Sequence, residues 1–366
     1  MAEHIVVVGA GYAGLAAAKL AARWTGCRVT LVNERDRFVE RVRLHQLAAG
    51  QRLRDLPLAD LVRGTGVELV VDRVTGIDAD VRRVRLATGS LTYDRLVYAL
   101  GSRADLRVPG AAEHAHSVST AEDAEELAGA LRTARVVAVA GGGLTGIEAA
   151  AELAESRPDL TVLLVTGGRF GAGLSAKGAR HLRSVFDRLG VRVRDGARVA
   201  EVRADGLVLD TGELVAADAV VWTAGFRVPE LAREAGFEVD GDGRLVVDQA
   251  LASVSHPEVV GVGDAAAIRR PDGLELRMAC ATGLPTTRHA MRSLAGGLAG
   301  REPRPLRFRY FNQCVSLGRR DGLIQFVRAD DTPVERVLTG RVAARYKELV
   351  VRGTVLFERH PVLPAG

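Results

Sequence analysis

Two stretches of the chain share one rhythm of apolar and polar positions. Residues 4–33 (HIVVVGAGYAGLAAAKLAARWTGCRVTLVN) and 135–166 (RVVAVAGGGLTGIEAAAELAESRPDLTVLLVT) each open on a β-branched run and break on glycines. Each then continues as an alanine-rich segment at helical spacing and ends on a second apolar run. That order predicts strand, glycine turn, helix and strand, the βαβ unit of a dinucleotide-binding fold, and it occurs twice. After each unit comes a shorter, period-two alternation, over residues 67–100 and 191–225, which predicts a β-meander returning to a buried strand. Residues 257–268 (PEVVGVGDAAAI) predict a further buried strand that ends on Gly263-Asp264. Beyond about residue 300 the pattern turns strand-rich with interleaved arginines and closes on a helix over 341–352. The predicted fold is α/β: two Rossmann-like dinucleotide-binding domains and a small C-terminal β-rich element with a helix.

The glycine turns carry the chemistry. Gly9, Gly11 and Gly14, with Tyr12 and Ala13 between them, satisfy G-x-G-x-x-G after a strand and before a helix. The first glycine makes the tight turn, the second lets backbone approach a pyrophosphate, and the third lets helix and strand pack closely. Gly141, Gly143, Leu144, Thr145 and Gly146 repeat the motif, with Glu148 just behind it. At the end of the second strand, where a carboxylate accepts both ribose hydroxyls, the first unit has Asn33 and then Glu34. Either Asn33 does part of that work with Glu34 reaching round, or Glu34 is simply solvated. The second unit ends on Thr166 with Arg169 nearby; without an acid there, a 2′-phosphate is not repelled. NADPH is therefore permitted alongside NADH and slightly favoured. Two dinucleotides in one chain imply a tightly held redox cofactor and a diffusing hydride donor.

Composition narrows the partners. The net charge of +5 is spread along the chain and aromatics are only 4%, so no nucleic-acid partner is expected. No apolar run nears the roughly 18 residues of a membrane span, and Glu3 and His4 interrupt any leader. Cys27, Cys280 and Cys314 stand far apart, which predicts neither a metal site nor disulfides and fits a reducing cytoplasm.

The chain resembles the two-dinucleotide flavoproteins with the glutathione-reductase layout, and among them type II NADH dehydrogenases and the soluble quinone reductases related to apoptosis-inducing factor. The resemblance spans roughly residues 4–300. It rests on both glycine motifs and on YDRLVYALGS (93–102), ADAVVWTAGFRVPEL (217–231) and VVGVGDAA (259–266), in this order. It implies an FAD domain split over 1–115 and 245–300, an NAD(P)H domain at 116–244 and a C-terminal element at 301–366. Gly9, Gly11 and Gly14 would hold the FAD pyrophosphate, backbone near Val74 the adenine, and Asp264 the ribityl or pyrophosphate region, unless it is a satisfied core aspartate. Ala99 to Gly101 and Ala224-Gly225 would be matched loops where the domains meet. Pro285 and Thr286 would begin a helix whose N-terminus faces the flavin, or an ordinary capped helix. Glu148 would lie near the nicotinamide.

Two departures shape the expected activity. Members that reduce disulfides carry a redox cysteine pair in the loop at 38–50, which has none here. Electrons should therefore pass directly to an external acceptor, a quinone first of all. Arg41, His45 and Gln46 are expected to line the flavin, with His45 either a proton donor or a structural hydrogen-bonder; Cys280 is expected to be a packed thiol. The C-terminal region is also shorter than in type II NADH dehydrogenases. Its stripe of Val342, Tyr346, Leu349 and Val350, among Arg341, Arg345, Lys347 and Arg352, would pack on its own domain or a homodimer partner in preference to an anionic membrane. The expected function is an FAD-dependent NAD(P)H oxidoreductase with a quinone-like acceptor, cytoplasmic or peripheral at the inner membrane face. The alternatives are a tailoring oxidoreductase on an aromatic natural product, a ferredoxin-type reductase and an NAD(H)-sensing interaction protein.

Overall fold

The computed structural model of the chain describes residues 3–360. The two apolar runs of the first unit become the adjacent parallel strands His4–Val8 and Arg28–Asn33, with the helix Tyr12–Thr25 between them. His4–Val8 is central in a five-stranded parallel sheet ordered Val259–Gly261, Arg95–Tyr98, His4–Val8, Arg28–Asn33, Val67–Val71. The middle of such a sheet is covered on both faces, which is why its central strand is a near-continuous apolar run instead of an alternating one. Ile5, Val6, Val7 and Val8 are all fully buried.

The second unit repeats this plan. Val136–Ala140 is central, flanked by Thr161–Val165 and then Arg192–Arg194 on one side, and by Ala219–Trp222 and Ala115–Ser117 on the other. Each meander becomes a three-stranded antiparallel sheet, Val74–Asp78 with Arg83–Leu86 and Ser90–Thr92, and Val199–Arg203 with Gly206–Leu209 and Leu214–Ala216. The fifth strand of the first sheet, Val259–Gly261, comes from beyond the whole second sheet and pairs with Leu96 to Tyr98. The second unit is thus an insertion in the first. Two short segments, Arg103–Ala104 and Phe226–Arg227, pair antiparallel where the chain passes between the sheets.

The C-terminal strands start later than the residue pattern predicts. Residues 301–311 are extended, with Leu306, Phe308 and Tyr310 buried, but they join no ladder; Pro303 and Pro305 withhold two of the N–H groups a ladder needs. The antiparallel sheet is Asn312–Ser316, Gly322–Val327 and Pro333–Thr339, and it leads into the helix Gly340–Arg359.

That helix turns its expected packing face outward. Val342 and Leu349 are 64% and 69% exposed, with Tyr346 and Val350 also exposed, so they do not pack on the chain's own surface. The buried face is Ala343, Val351, Val355 and Phe357, together with Glu358. Lys347 also points inward. Two charged residues on the inner stripe are what conceal it from a hydropathy reading.

Candidate active site

At the first glycine turn a Cβ on Gly9 would meet the Ala99 carbonyl oxygen at 2.5 Å, and one on Gly14 would meet the Gly9 carbonyl oxygen at 1.8 Å. Gly9 also has φ of +95°, a region that favours glycine. A Cβ on Gly11 would meet nothing. The helix Tyr12–Thr25 has no side-chain cap, so its first N–H groups are left for an anion.

A cavity of about 590 Å³ opens over this turn, and Gly9, Gly11, Glu34, Arg41, Val74, Ala99 and Gly101 line it, as expected. Its wall carries six arginines, Arg35, Arg37, Arg41, Arg73, Arg103 and Arg227, against the acids Glu34 and Asp72. Guanidinium groups suit the pyrophosphate of a dinucleotide, and with the open glycine turn the residues present fit FAD. The arginines lie in four separate parts of the chain, so no motif reveals them, Arg41 apart.

Asn33 lines the cavity too, but its carboxamide is engaged elsewhere. Its Oδ1 accepts from the Ala10 N–H at 2.9 Å and its Nδ2 donates to the Arg35 carbonyl at 2.8 Å, so it braces the turn. Glu34 is not merely solvated: Arg35 reaches it at 2.6 Å and Arg103 at 3.4 Å. Tyr12 packs edge-on against Phe38, and Ala13 lies 3.0 Å from where a Gly263 Cβ would stand. Asp264 accepts from Ser102 Oγ at 2.7 Å, with Arg41 at 3.7 Å; it is half-buried, and both partners line the cavity. Beside the second expected loop, the Asp105 N–H donates to the Gly225 carbonyl at 3.2 Å, and Ala224 lies behind Gly141.

The second turn repeats the steric logic. A Cβ on Gly141 would stand 2.6 Å from Thr223 Oγ1 and one on Gly146 1.9 Å from the Gly141 carbonyl oxygen, while Gly143 faces open space. The helix Leu144–Ser156, with Leu144 and Thr145 in its first turn, again lacks a side-chain cap. A Cβ on Gly142 would come within 2.5 Å of Thr166 Oγ1, so Thr166 does sit against the turn. Arg169 is exposed beyond it.

Behind the turns lies a largely buried polar cluster drawn from five elements, the helices Leu44–Ala48, Leu144–Ser156, Cys280–Leu298 and Gly340–Arg359 and the strand Asn312–Ser316. Glu148 accepts from the Ser316 N–H at 2.9 Å and pairs with Lys347 at 3.0 Å. Burial would push the Glu148 carboxyl up, but Lys347 holds it below its usual range; burial would lower Lys347, and Glu148 holds it above its own. The pair is therefore fully ionised. Lys347 also donates to the Cys314 carbonyl at 3.0 Å. Burial raises the Cys280 and Cys314 thiols to about 11, which leaves both protonated. His45 is buried, its Nε2 unpartnered and 3.9 Å from Glu152. Burial lowers its pKa to about 4. His45 is thus a neutral imidazole near neutral pH, and its Nε2 makes neither the proton-donating nor the structural hydrogen bond expected of it. Gln46 accepts from Arg43 at 3.1 Å. Neither His45 nor Gln46 lines the cavity. Lys347 is the ionisable group the motifs miss, because its partner lies almost 200 positions away.

One predicted start shifts. The helix after Asp264 is Cys280–Leu298, so Pro285 lies inside it and Thr286 in its second turn. Proline at a helix start suggested an N-terminus there. The chain instead carries the proline within the helix, and beside it the Thr286 hydroxyl donates to the Thr282 carbonyl at 2.7 Å. The free N–H groups belong to the turn at Cys280.

Comparison with known proteins agrees with this geometry. The chain is 35% identical over 344 residues to the NADH dehydrogenase-like protein Rv1812c of Mycobacterium tuberculosis, covering 86% of each chain. It is 26% identical to the demethylphylloquinone reductase NdbB of Synechocystis, covering 88% of this chain and 86% of that one. In fold it is similar to the sulfide:quinone oxidoreductase of Aquifex aeolicus, with a TM-score of 0.83 at 22% identity over 100% of this chain and 93% of that one. The family model for pyridine nucleotide-disulphide oxidoreductases matches residues 3–293. The chain belongs to the pyridine nucleotide-disulphide oxidoreductase family, the flavoproteins that bind FAD and NAD(P)H.

Proposed function

We propose that this FAD-dependent NAD(P)H oxidoreductase delivers its electrons to a quinone-type acceptor. The observation that carries the reading is the loop at 38–50. It holds no cysteine, and the three thiols of the chain are free, so no dithiol relay can leave from that position. A second support is the largely buried Lys347–Glu148 pair, since reducing a quinone to its quinol consumes protons as well as electrons. The quinone and quinone-reductase names of relatives point the same way. FAD, when bound, supplies the chemistry that takes a hydride from NAD(P)H and gives up electrons. The first glycine turn with its arginine wall binds and orients that dinucleotide, with Glu34 at the ribose and Val74 at the adenine. The Gly141–Gly146 turn presents the hydride donor, and the Lys347 ammonium, kept charged by Glu148, holds a proton. On this reading the FAD domain is 1–115 with 245–300, the NAD(P)H domain 116–244 and the C-terminal element 301–366, of which 1–2 and 361–366 lie outside the described residues. The test is anaerobic reduction with NADPH or NADH, then reoxidation by ubiquinone and menaquinone analogues, oxygen and a ferredoxin in parallel. A quinone should outrun the rest by about tenfold or more. A ferredoxin or oxygen winning that race sinks the proposal.

No helix among the described residues is long and apolar enough to cross a membrane. The outward stripe of Val342 and Leu349 continues into Leu356, and arginines flank it; Phe311, 70% exposed, precedes Asn312, whose Nδ2 donates to Tyr346 Oη of the stripe at 3.0 Å. We read it as a peripheral contact with an anionic lipid surface, where a quinone is found. The protein should co-sediment with anionic vesicles and not with zwitterionic ones, and Leu349→Glu should abolish this. A concentration-dependent homodimer that the same substitution dissolves would show a second copy covering the stripe instead.

A further inference from the structure

Part of the flavin cavity's wall comes from the segment that leads into the second unit. Ser119, Thr120 and Ala121 line the cavity together with the first glycine turn and the strand end at Asn33 and Glu34. They enter the helix Ala121–Ala130, and local hydrogen bonds hold them in one shape. Thr120 Oγ1 accepts from the Asp123 N–H at 3.1 Å, while Ser117 Oγ accepts from the Ser119 N–H at 3.1 Å and donates to Asp123 Oδ2. The helix buries Ala124 and Leu127 in one apolar cluster with Leu44 and Ala48.

One ion pair ties this wall to the first unit. Arg35, itself on the cavity wall, follows the strand Arg28–Asn33, and Glu122 stands in the first turn of the helix, 87 positions away. Arg35 Nε and Nη2 donate to the two oxygens of Glu122 at 2.6 and 2.8 Å, a bidentate fork. Nη1 donates to Glu34 Oε1 at 2.6 Å. The Arg35 carbonyl accepts from Asn33 Nδ2, whose Oδ1 takes the Ala10 N–H of the glycine turn. Each nitrogen of the guanidinium thus serves a carboxylate, so Arg35 acts on the acids around it. Glu34 receives Arg35 and Arg103 on Oε1, which leaves Oε2, with Arg73 at 3.8 Å, for a ribose hydroxyl.

The Arg35 hydrogen bonds hold the Glu122 carboxyl below its usual range, so the bridge is fully charged at neutral pH. Glu122 is 54% exposed, and an exposed pair alone contributes little. The fork geometry and the third carboxylate are what strengthen this one.

We infer that Glu122 is a positioning residue of the flavin site: it holds Arg35, Arg35 holds Glu34 at the adenosine ribose, and the bridge clasps the wall at 119–121 against bound FAD. Flavin retention by the first unit then depends on a carboxylate that follows it by almost ninety positions. The inference rests on the first glycine turn holding FAD and does not depend on the acceptor.

The test is the rate at which the holoprotein releases FAD on dilution, followed by the rise in flavin fluorescence, for wild type, Glu122→Ala, Arg35→Ala and the double variant. Glu122→Ala should release FAD about three- to tenfold faster. The double variant should be no faster than Arg35→Ala alone, since the bridge acts as one unit. Glu122→Gln, which keeps a hydrogen bond, should fall between wild type and Glu122→Ala. Raising the salt from about 50 to about 500 mM should speed wild type more than the double variant. Additive losses, or release from Glu122→Ala at the wild-type rate, overturn the clasp. A lowered thermal midpoint with unchanged release overturns it too, because the bridge would then be merely structural. A wild type that holds no FAD overturns it through the first-turn assignment. A protein that shows the expected release rates but reduces no quinone leaves the clasp standing and removes only the acceptor.

Discussion

Alanine at Gly14 should yield a protein that purifies without its flavin, while alanine at Gly146 should yield one that keeps its flavin and is no longer bleached by NADPH or NADH. The two positions are equivalent in the duplicated units, and the geometry makes the same demand at each. A methyl group on Gly14 would stand 1.8 Å from the Gly9 carbonyl oxygen and 3.1 Å from the Ala99 methyl; on Gly146 it would stand 1.9 Å from the Gly141 carbonyl oxygen and 2.7 Å from Thr223 Oγ1. The closest atom in each case is backbone, so the helix must retreat from its turn. Overpacking of this sort costs about 1–3 kcal/mol. The retreat also withdraws the helix N–H groups that meet a pyrophosphate, worth about as much again. Together these predict a loss of affinity of about 100-fold or more at the turn concerned. The flavin-to-protein absorbance ratio after desalting reports the first turn, and anaerobic bleaching the second. If Gly146→Ala loses flavin while Gly14→Ala keeps it, the assignment of the two turns is reversed. If both proteins behave as wild type, neither turn holds a dinucleotide.

The duplication behind that experiment is legible from the residues because its causes are local. Glycine spacing, β-branched runs and alternating meanders each act within a few positions, and in each parallel sheet the two strands of the predicted βαβ unit are neighbours. The topological insertion of the second unit is legible only by resemblance, because the pairing of Val259 with Leu96 bridges a gap of more than 160 residues. What stays hidden depends on distant partners. Asn33 reads as a ribose ligand until Ala10 is found on its carboxamide. His45 reads as either a proton donor or a structural hydrogen-bonder, and its burial and lowered pKa come from distant groups; nothing local in the chain marks Lys347 as the partner of Glu148. Pro285 misplaces a helix start because proline most often sits in a first turn. The terminal helix misleads most, since its inner stripe includes two charged residues and its outer one includes Val342 and Leu349.

Those inward charges set the last expectation: replacing Lys19 with methionine should loosen the terminal helix and make the protein more sensitive to alkali. Lys19, on the helix that follows the first glycine turn, donates to the carbonyl oxygens of Leu61 at 3.0 Å, Glu358 at 2.6 Å and Arg359 at 2.8 Å. Three acceptors require three N–H donors, so the geometry holds Lys19 as an ammonium although burial lowers its pKa. Two of the carbonyls close the end of Gly340–Arg359, where a cation also opposes the helix dipole. Methionine keeps the stem and removes all three bonds, a loss of about 3 kcal/mol, which lowers the thermal midpoint by about 5 °C or more. The Glu358 carboxyl lies beside this ammonium, fully buried and with neither oxygen hydrogen-bonded. Burial raises its pKa well above 4.5, and Lys19 is the charge that draws it back. A carboxyl whose folded pKa exceeds its unfolded one binds the proton more tightly when folded. Its contribution is therefore complete below about pH 4.5 and is lost as the pH rises through the elevated folded value. Glu358→Gln removes that titration, so its thermal midpoint should fall less than that of wild type between neutral and alkaline pH. Lys19→Met removes the attraction that restrains the shift, so its midpoint should fall more steeply than wild type over the same range. Midpoints of the three proteins across that range decide the matter: parallel curves would show that Glu358 does not titrate with unfolding, and a flatter curve for Lys19→Met would place its ammonium outside the reach of Glu358.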